Sequence, residues 1–144
     1  MLLSAVRENN FQKVFLLLKS GEDACQVNGY KRTALHKAAY YASDPEILRL
    51  LIYYGADINA LDKGNWSPLH LAARNGHFYT VKILVAEGSN MNCQDLKHGW
   101  TPLHSAIIAG HTRVAKLLIG LQARIDVKDI SGSCAGDYLK AEIS

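Results

Sequence analysis

One hydrophobic rhythm recurs along the chain. Phe11, Val14, Leu17 and Leu18 fall at the spacing of a helix with a single apolar face, and so do Ile47, Leu50 and Leu51, then Val81, Leu84 and Val85, then Val114, Leu117 and Leu118. Each stripe needs a neighbour to cover it. Thr33-Ala34-Leu35-His36, Ser67-Pro68-Leu69-His70 and Thr101-Pro102-Leu103-His104 predict shorter helices between these longer ones, their histidines 34 residues apart. Thr or Ser at the head of each tetrapeptide suits a helix N-cap, and Pro68 and Pro102 follow at the first helical position, where a missing N–H costs nothing. Small residues come next (Ala38-Ala39, Ala72-Ala73, Ala106), and they let successive short helices approach closely. Gly21, Gly55 and Gly88 stand where the longer helices should end in a left-handed turn.

Self-similarity at a fixed period marks a repeat architecture. Gly76-His77 matches Gly110-His111, and Gly55-Ala56-Asp57-Ile58-Asn59 recurs as Gly88-Ser89-Asn90-Met91-Asn92 and, degraded, as Gln122-Ala123-Arg124-Ile125-Asp126. On these residues the chain resembles the ankyrin-repeat family. The resemblance covers essentially the whole chain and implies an all-α solenoid of helix-turn-helix units joined by β-hairpin-like loops. It implies one domain over residues 1–144: a partial first unit at 1–32, units at 33–66, 67–100 and 101–133, and a partial last unit at 134–144. The family's period is about 33 residues, and two insertions explain the longer spacing. One replaces the Gly-His turn with Tyr40 to Pro45; the other makes the loop from Asp95 to Trp100 one residue longer than that from Asp62 to Trp66. The segment from Tyr138 to Ser144 is followed by no second helix, so the last apolar face is expected to be incompletely covered, inviting a continuing chain, a partner or self-association.

Composition adds exclusions. At 144 residues, with 49% hydrophobic and 20% charged positions, the chain suits one globular unit. A net charge of +3 is small and spread out; Lys31, Arg32, Lys63 and Lys97 share the loop tips with Asp62 and Asp95, which dilute their field, so nucleic acid is not an expected partner. The apolar runs Leu50 to Ala56 and Leu117 to Leu121 are too short to span a membrane, and Arg7 and Glu8 interrupt any secretory signal. Cys25, Cys93 and Cys134 are widely spaced with no paired-cysteine motif, which fits a reducing compartment, cytoplasmic or nuclear, and no metal site. No nucleophile elbow, phosphate loop or zinc-protease motif is present, so neither catalytic residues nor a cofactor are expected. His36, His70 and His104 form a row rather than a cluster and read as structural, as do His77 and His111 in the turns. His98 stands outside the repeat and is expected on the surface.

What the resemblance implies about function is a non-catalytic protein-interaction module, or alternatively a regulatory or targeting domain of a larger multidomain protein, catalytic ones included. In the family, partners contact loop tips and the exposed positions of the first helices. Carried onto this sequence, that face is Tyr30, Arg32, Tyr40 and Tyr41, then Lys63, Trp66, Arg74 and Asn75, then Lys97, His98, Trp100, Ile108 and Ala109. Aromatic and cationic side chains interleave there, favouring a partner segment that carries Asp, Glu or phosphate. Leu51 with Asp57-Ile58-Asn59 also resembles the motif an asparagine hydroxylase accepts in ankyrin repeats, which makes Asn59 a candidate modification site.

Overall fold

The structure is a computed structural model that describes residues 1–143, with side chains described as far as Leu139. Its helices are α1 (Leu2–Arg7), α2 (Phe11–Lys19), α3 (Ala34–Tyr40), α4 (Pro45–Tyr53), α5 (Pro68–Arg74), α6 (Phe78–Ala86), α7 (Pro102–Ile108), α8 (Thr112–Gly120) and α9 (Ala135–Ile143). No strand occurs among the described residues. The helices pair as α1 with α2, α3 with α4, α5 with α6 and α7 with α8. Helices α1, α3, α5, α7 and α9 then pack in sequence to form one row of the stack.

The short helices start where the sequence predicts, and for the expected reason. The side chains of Thr33, Ser67 and Thr101 accept the backbone N–H of His36, His70 and His104, each of which returns its imidazole to the capping residue's N–H. Among the longer helices, α2 is capped by Asn10 and α4 by Asp44, while His77 and His111 begin α6 and α8 without a side-chain cap. Gly21, Gly55 and Gly88 follow α2, α4 and α6 at φ +103, +95 and +102°, the left-handed turn expected of them. After α8 the same task falls to Gln122, at φ +75°, a conformation that strains a residue with a Cβ.

The core is the seam between the two rows. Leu35, Leu69 and Leu103 of the short helices are fully buried against Ile47, Leu51, Val81, Leu84, Val114 and Leu118 of the longer ones. Burying each such side chain contributes about 1.5–3 kcal/mol. The Ala pairs sit where α3 meets α5 and α5 meets α7, and their small size sets that spacing.

The insertion at Tyr40 to Pro45 reshapes the outer row. Ala42 turns the chain at φ +51°, and α4, entering late, touches α6 far less than α2 touches α4 or α6 touches α8. The gap is a depression of about 540 Å3 between Asp44, Pro45, Glu46, Arg49, Tyr79, Lys82, Ile83 and Ala86.

At the other end, α9 packs on α7 with no paired helix among the described residues. A unit with one neighbour opens before units with two. Native-state hydrogen exchange should therefore find the amides of α9 exchanging well ahead of those of α5 and α7; protection of α9 equal to that of α5 would contradict this.

Candidate interaction surface

Each loop between units is organised by one Asx side chain turned inward. Asn28 Oδ1 accepts the N–H groups of Tyr30 and Arg32; Asp62 Oδ1 accepts those of Gly64 and Trp66; Asp129 Oδ1 accepts those of Ser131 and Ser133. Asp95 does the same in the lengthened loop, accepting Trp100 N–H at 2.7 Å and His98 N–H at 3.3 Å. One backbone bond closes each loop, as from Asp62 N–H to the Trp66 carbonyl at 3.0 Å. One more joins it to the loop before: Lys63 N–H to Tyr30, Leu96 N–H to Gly64, and Ile130 N–H to His98. The hairpin-like loops are thus side-chain-organised turns rather than strands.

The three repeat histidines bind this loop row to the helices. His36 Nε2 lies 2.8 Å from the Trp66 carbonyl, His70 Nε2 2.8 Å from that of Trp100, and His104 Nε2 3.2 Å from that of Ser133. A carbonyl only accepts, so Nε2 carries the proton and Nδ1 is left to accept from the Thr or Ser cap. Burial pushes the pKa of His36 and His70 down, opposed chiefly by those carbonyl bonds. A depressed imidazole pKa contributes stability above the unfolded value of about 6.5 and loses it as pH falls below that value. The imidazoles of His36 and His70 are neutral structural ties, and His104 makes the same hydrogen bonds. Among the described residues, no cluster of three or more His, Cys, Asp or Glu is arranged to hold a metal ion. Burial raises the Cys93 thiol, set beside Ser67 and His70, above its ordinary pKa, the opposite of nucleophilic activation.

The loop tips and first helices place the expected surface residues in two groups. Trp66 is half-buried, its ring edge against His70 at 5.2 Å, with the Arg74 guanidinium over it at 5.4 Å. Trp100 is half-buried beneath the His98 ring, stacked at 3.7 Å and 9°. His98 is therefore not a loose surface residue: the extra residue of its loop folds it onto Trp100 and its Nδ1 onto Asp95 at 3.2 Å. Lys97, His98 and Trp100 form one wall of a shallow depression whose other wall is Asp129, Ile130, Ser131 and Tyr138. Arg74, Trp100, Ile108 and Ala109 converge on a second depression, joined by Ser105.

The N-terminal members of the set are more dispersed. Tyr30 is 69% exposed. Arg32 takes the position of the two tryptophans one unit earlier, and its Nε meets Asp62 at 3.2 Å. Tyr40 and Tyr41 meet edge to face, with the Tyr40 carbonyl accepting Asn75 Nδ2 and His77 Nε2, while the Tyr41 ring lies under Arg7 of α1. Asn59 is exposed, but its Oδ1 accepts Asn90 N–H at 2.7 Å, as Asn92 Oδ1 accepts Arg124 N–H in the next unit.

Two features escape a reading of residue types alone. Asp62 and Asp95 are buried beneath the loop tips rather than lying among the surface cations: each gives Oδ1 to loop amides, while Asp62 Oδ2 pairs with Arg32 and Asp95 Oδ2 meets His98. Ser105 takes the place that Leu71 holds one unit earlier and Lys37 two units earlier, the smallest of the three side chains, and an open depression lies beside it.

Paired helices in register, inward-turned loop carboxylates and a histidine tie per unit define a helical repeat stack. The family comparison agrees: residues 2–95 and 39–129 match ankyrin repeats in three copies. The chain belongs to the ankyrin-repeat family. It is 35% identical over 88 residues to the human Notch-regulated ankyrin repeat-containing protein, a match covering 58% of this chain and 75% of that protein. It is 34% identical over 82 residues to the phosphate system positive regulatory protein of Saccharomyces cerevisiae, covering 54% of this chain and 7% of the relative. With the E3 ubiquitin-protein ligase KEG of Arabidopsis thaliana it shares 33% identity over 134 residues, 89% of this chain and 8% of the ligase. The chain spans 5% to 12% of the length of these and other long relatives. Among the described residues no helix is long and apolar enough to cross a membrane. Ankyrin repeats generally act as protein–protein interaction modules.

Proposed function

We propose that the protein is a non-catalytic interaction module of the cytoplasm or nucleus. It binds an extended segment of another protein along its loop tips and first helices, with Tyr30, Arg32, Tyr40, Tyr41, Lys63, Trp66, Arg74, Asn75, Lys97, His98, Trp100 and Ile108 as the contact set. The observation that carries this reading is the make-up of this edge: Lys63 and Lys97 are exposed, Arg74 and His98 lie over the half-buried rings of Trp66 and Trp100, and the neighbouring carboxylates Asp62 and Asp95 are buried, the first paired with Arg32. The field at the surface then favours a segment bearing Asp, Glu or phosphate. The two tryptophans supply broad, rigid contact area of the kind in which binding energy concentrates.

The test combines two measurements on two variants. With a partner recovered by affinity capture, Trp66→Ala and Trp100→Ala should each weaken binding by about 2 kcal/mol or more. Variants that melt earlier but bind with unchanged affinity would make both rings supports of the loop row alone. Amide protection by the partner around Lys82 and Ile83 would move the interface to the outer depression. The brevity of the matches within long relatives favours a second reading, a regulatory or targeting domain of a larger protein. Asn59 remains the proposed hydroxylation site, checked by mass spectrometry after co-expression with an asparagine hydroxylase; an unmodified peptide ends that proposal.

A further inference from the structure

The exposed ends of the first helices are not alike. Arg7, Tyr40, Arg74 and Ile108 close α1, α3, α5 and α7, each straight after its helix's buried pair (Ala5-Val6, Ala38-Ala39, Ala72-Ala73, Ala106-Ile107), and all four are exposed. Contacts between units keep this register. The Arg7 guanidinium stands over the Tyr41 ring at 6.0 Å, Asn75 Nδ2 donates to the Tyr40 carbonyl at 3.1 Å, and Arg74, Trp100, Ser105, Ile108 and Ala109 line one depression of about 280 Å3. Lys37, half-buried, holds in α3 the place of Ser105 in α7. By the same register it belongs beside Arg7 at the step from α1 to α3, as Ser105 lies beside Arg74 at the step from α5 to α7. Among the described residues, neither Arg7 nor Lys37 is paired with a carboxylate: Glu8 turns to Lys13 at 3.7 Å and Asp62 to Arg32 at 3.2 Å. Free positive charge thus lies at the α1–α3 end of this face, and apolar surface at the α7 end.

We propose that the bound segment is acidic at one end and apolar at the other, with Asp or Glu side chains at Arg7 and Lys37 and an apolar side chain over Ile108. The inference rests on the interaction reading above and gives that segment its composition and its placement. Arg7 and Lys37, which have no partner of their own, gain charge-assisted bonds from the carboxylates. Arg32, the third cation at that end, is already held by Asp62, so the end lacks the cluster of free arginines that grips a phosphate. Single carboxylates match single cations on neighbouring helices. At the other end Ile108, 40% exposed, and Ala109 beside it offer apolar surface with no charge of their own. Two steps between neighbouring first helices, about 8–10 Å each, separate the two ends. An extended chain crosses them in about five or six residues.

The probe is a displayed library of random, unphosphorylated peptides selected on the full chain, followed by titration of the selected peptides. Selection should enrich paired Asp or Glu residues about five or six positions from an apolar one. A spin label at the acidic end of such a peptide should broaden the amide resonances of α1 and α3 and spare those of α7. Arg7→Tyr and Lys37→Leu install the residues that Tyr40 and Leu71 supply one unit later, so the stack is kept. Combined, they should weaken binding by about tenfold or more and flatten its dependence on salt. Replacing the peptide's acids by Asn or Gln should cause the same loss, and should cost nothing further against the double variant. Ile108→Arg, which installs the residue of α5, should weaken binding without lowering the melting temperature. Peptides that lack the paired acids, or a double variant that binds as well as the wild type, overturn the inference. Peptides that lose affinity with Trp66→Ala or Trp100→Ala but not with the double variant leave the interaction face standing and remove only its acidic end. If neither set of variants alters binding, the interaction reading falls with it.

Discussion

Gly76→Ala should destabilise the protein by about 3 kcal/mol, whereas Gly110→Ala, the same change one unit later, should cost only about 1 kcal/mol. Both glycines end a short helix and both lie in the left-handed region, at φ +74 and +83°, so the backbone strain of an added Cβ is shared. The difference lies in what the new atom meets. At Gly76 it would sit 2.5 Å from His111 Nδ1 and 2.7 Å from Cε1, because the histidine of the next unit's Gly-His turn packs over this glycine. At Gly110 nothing lies within 4 Å. Relief requires the His111 ring to move, and that ring stands at the N-terminus of α8, so the overlap is transmitted to the contact between units. At about 2–4 °C per kcal/mol for a chain of this size, thermal unfolding should separate the two variants by roughly 4–8 °C. Equal losses at the two glycines would mean that His111 does not pack on Gly76.

The paired glycines also show what one unit's sequence tells and what it withholds. The Gly-His turn, the Thr or Ser caps, the leucines of the seam and the row of histidines are local patterns, each repeated. Repetition turns a weak propensity into a firm assignment. The roles of Asp62, Asp95 and Asp129 are local too: an Asx four or five residues before the end of each loop, with Asn28 doing the same work in the first. Counted as charges, these residues look like surface; counted as acceptors for loop amides, they have to turn inward. The stacking of His98 on Trp100 was out of reach because it follows from where an inserted residue is accommodated. The distance between α4 and α6 depends likewise on how the Tyr40 to Pro45 insertion folds. Ser105 is intermediate, since alignment shows it to be the smallest residue at a place held by Lys37 and Leu71 in the units before, but only the packed structure shows an open space beside it.

Asp129 should govern the stability of the C-terminal unit and do so only above acid pH. Its Oδ1 accepts Ser131 N–H, Ser131 Oγ–H and Ser133 N–H at 2.9, 2.6 and 3.0 Å, and its Oδ2 accepts the Tyr138 hydroxyl at 2.5 Å. Burial acts to raise its pKa, but the Ser131 and Tyr138 hydroxyls and the loop amides outweigh it and lower the carboxyl from 3.8 to about 2. A carboxyl held lower in the folded state than in the unfolded one contributes stability above the unfolded value. That contribution is lost as pH falls from about 4 towards 2. The shift corresponds to about 2 kcal/mol, reduced to about 1 kcal/mol because solvent reaches the outer side of this loop. Asp129→Asn should keep the loop, since Asn28 organises its own with the same amide oxygen, and should lose the pH dependence together with about 1 kcal/mol. Asp129→Ala removes the acceptor for all these donors and should cost about 3 kcal/mol, and Tyr138→Phe, which loses one bond, should fall between wild type and alanine. The readout is hydrogen exchange of α9 at neutral pH, where that helix is held to the loop through Tyr138, together with unfolding of wild type and Asp129→Asn at pH 7 and pH 3. If α9 exchanges as slowly in Asp129→Ala as in wild type, the helix is held by its apolar contact with α7 and not by this carboxylate.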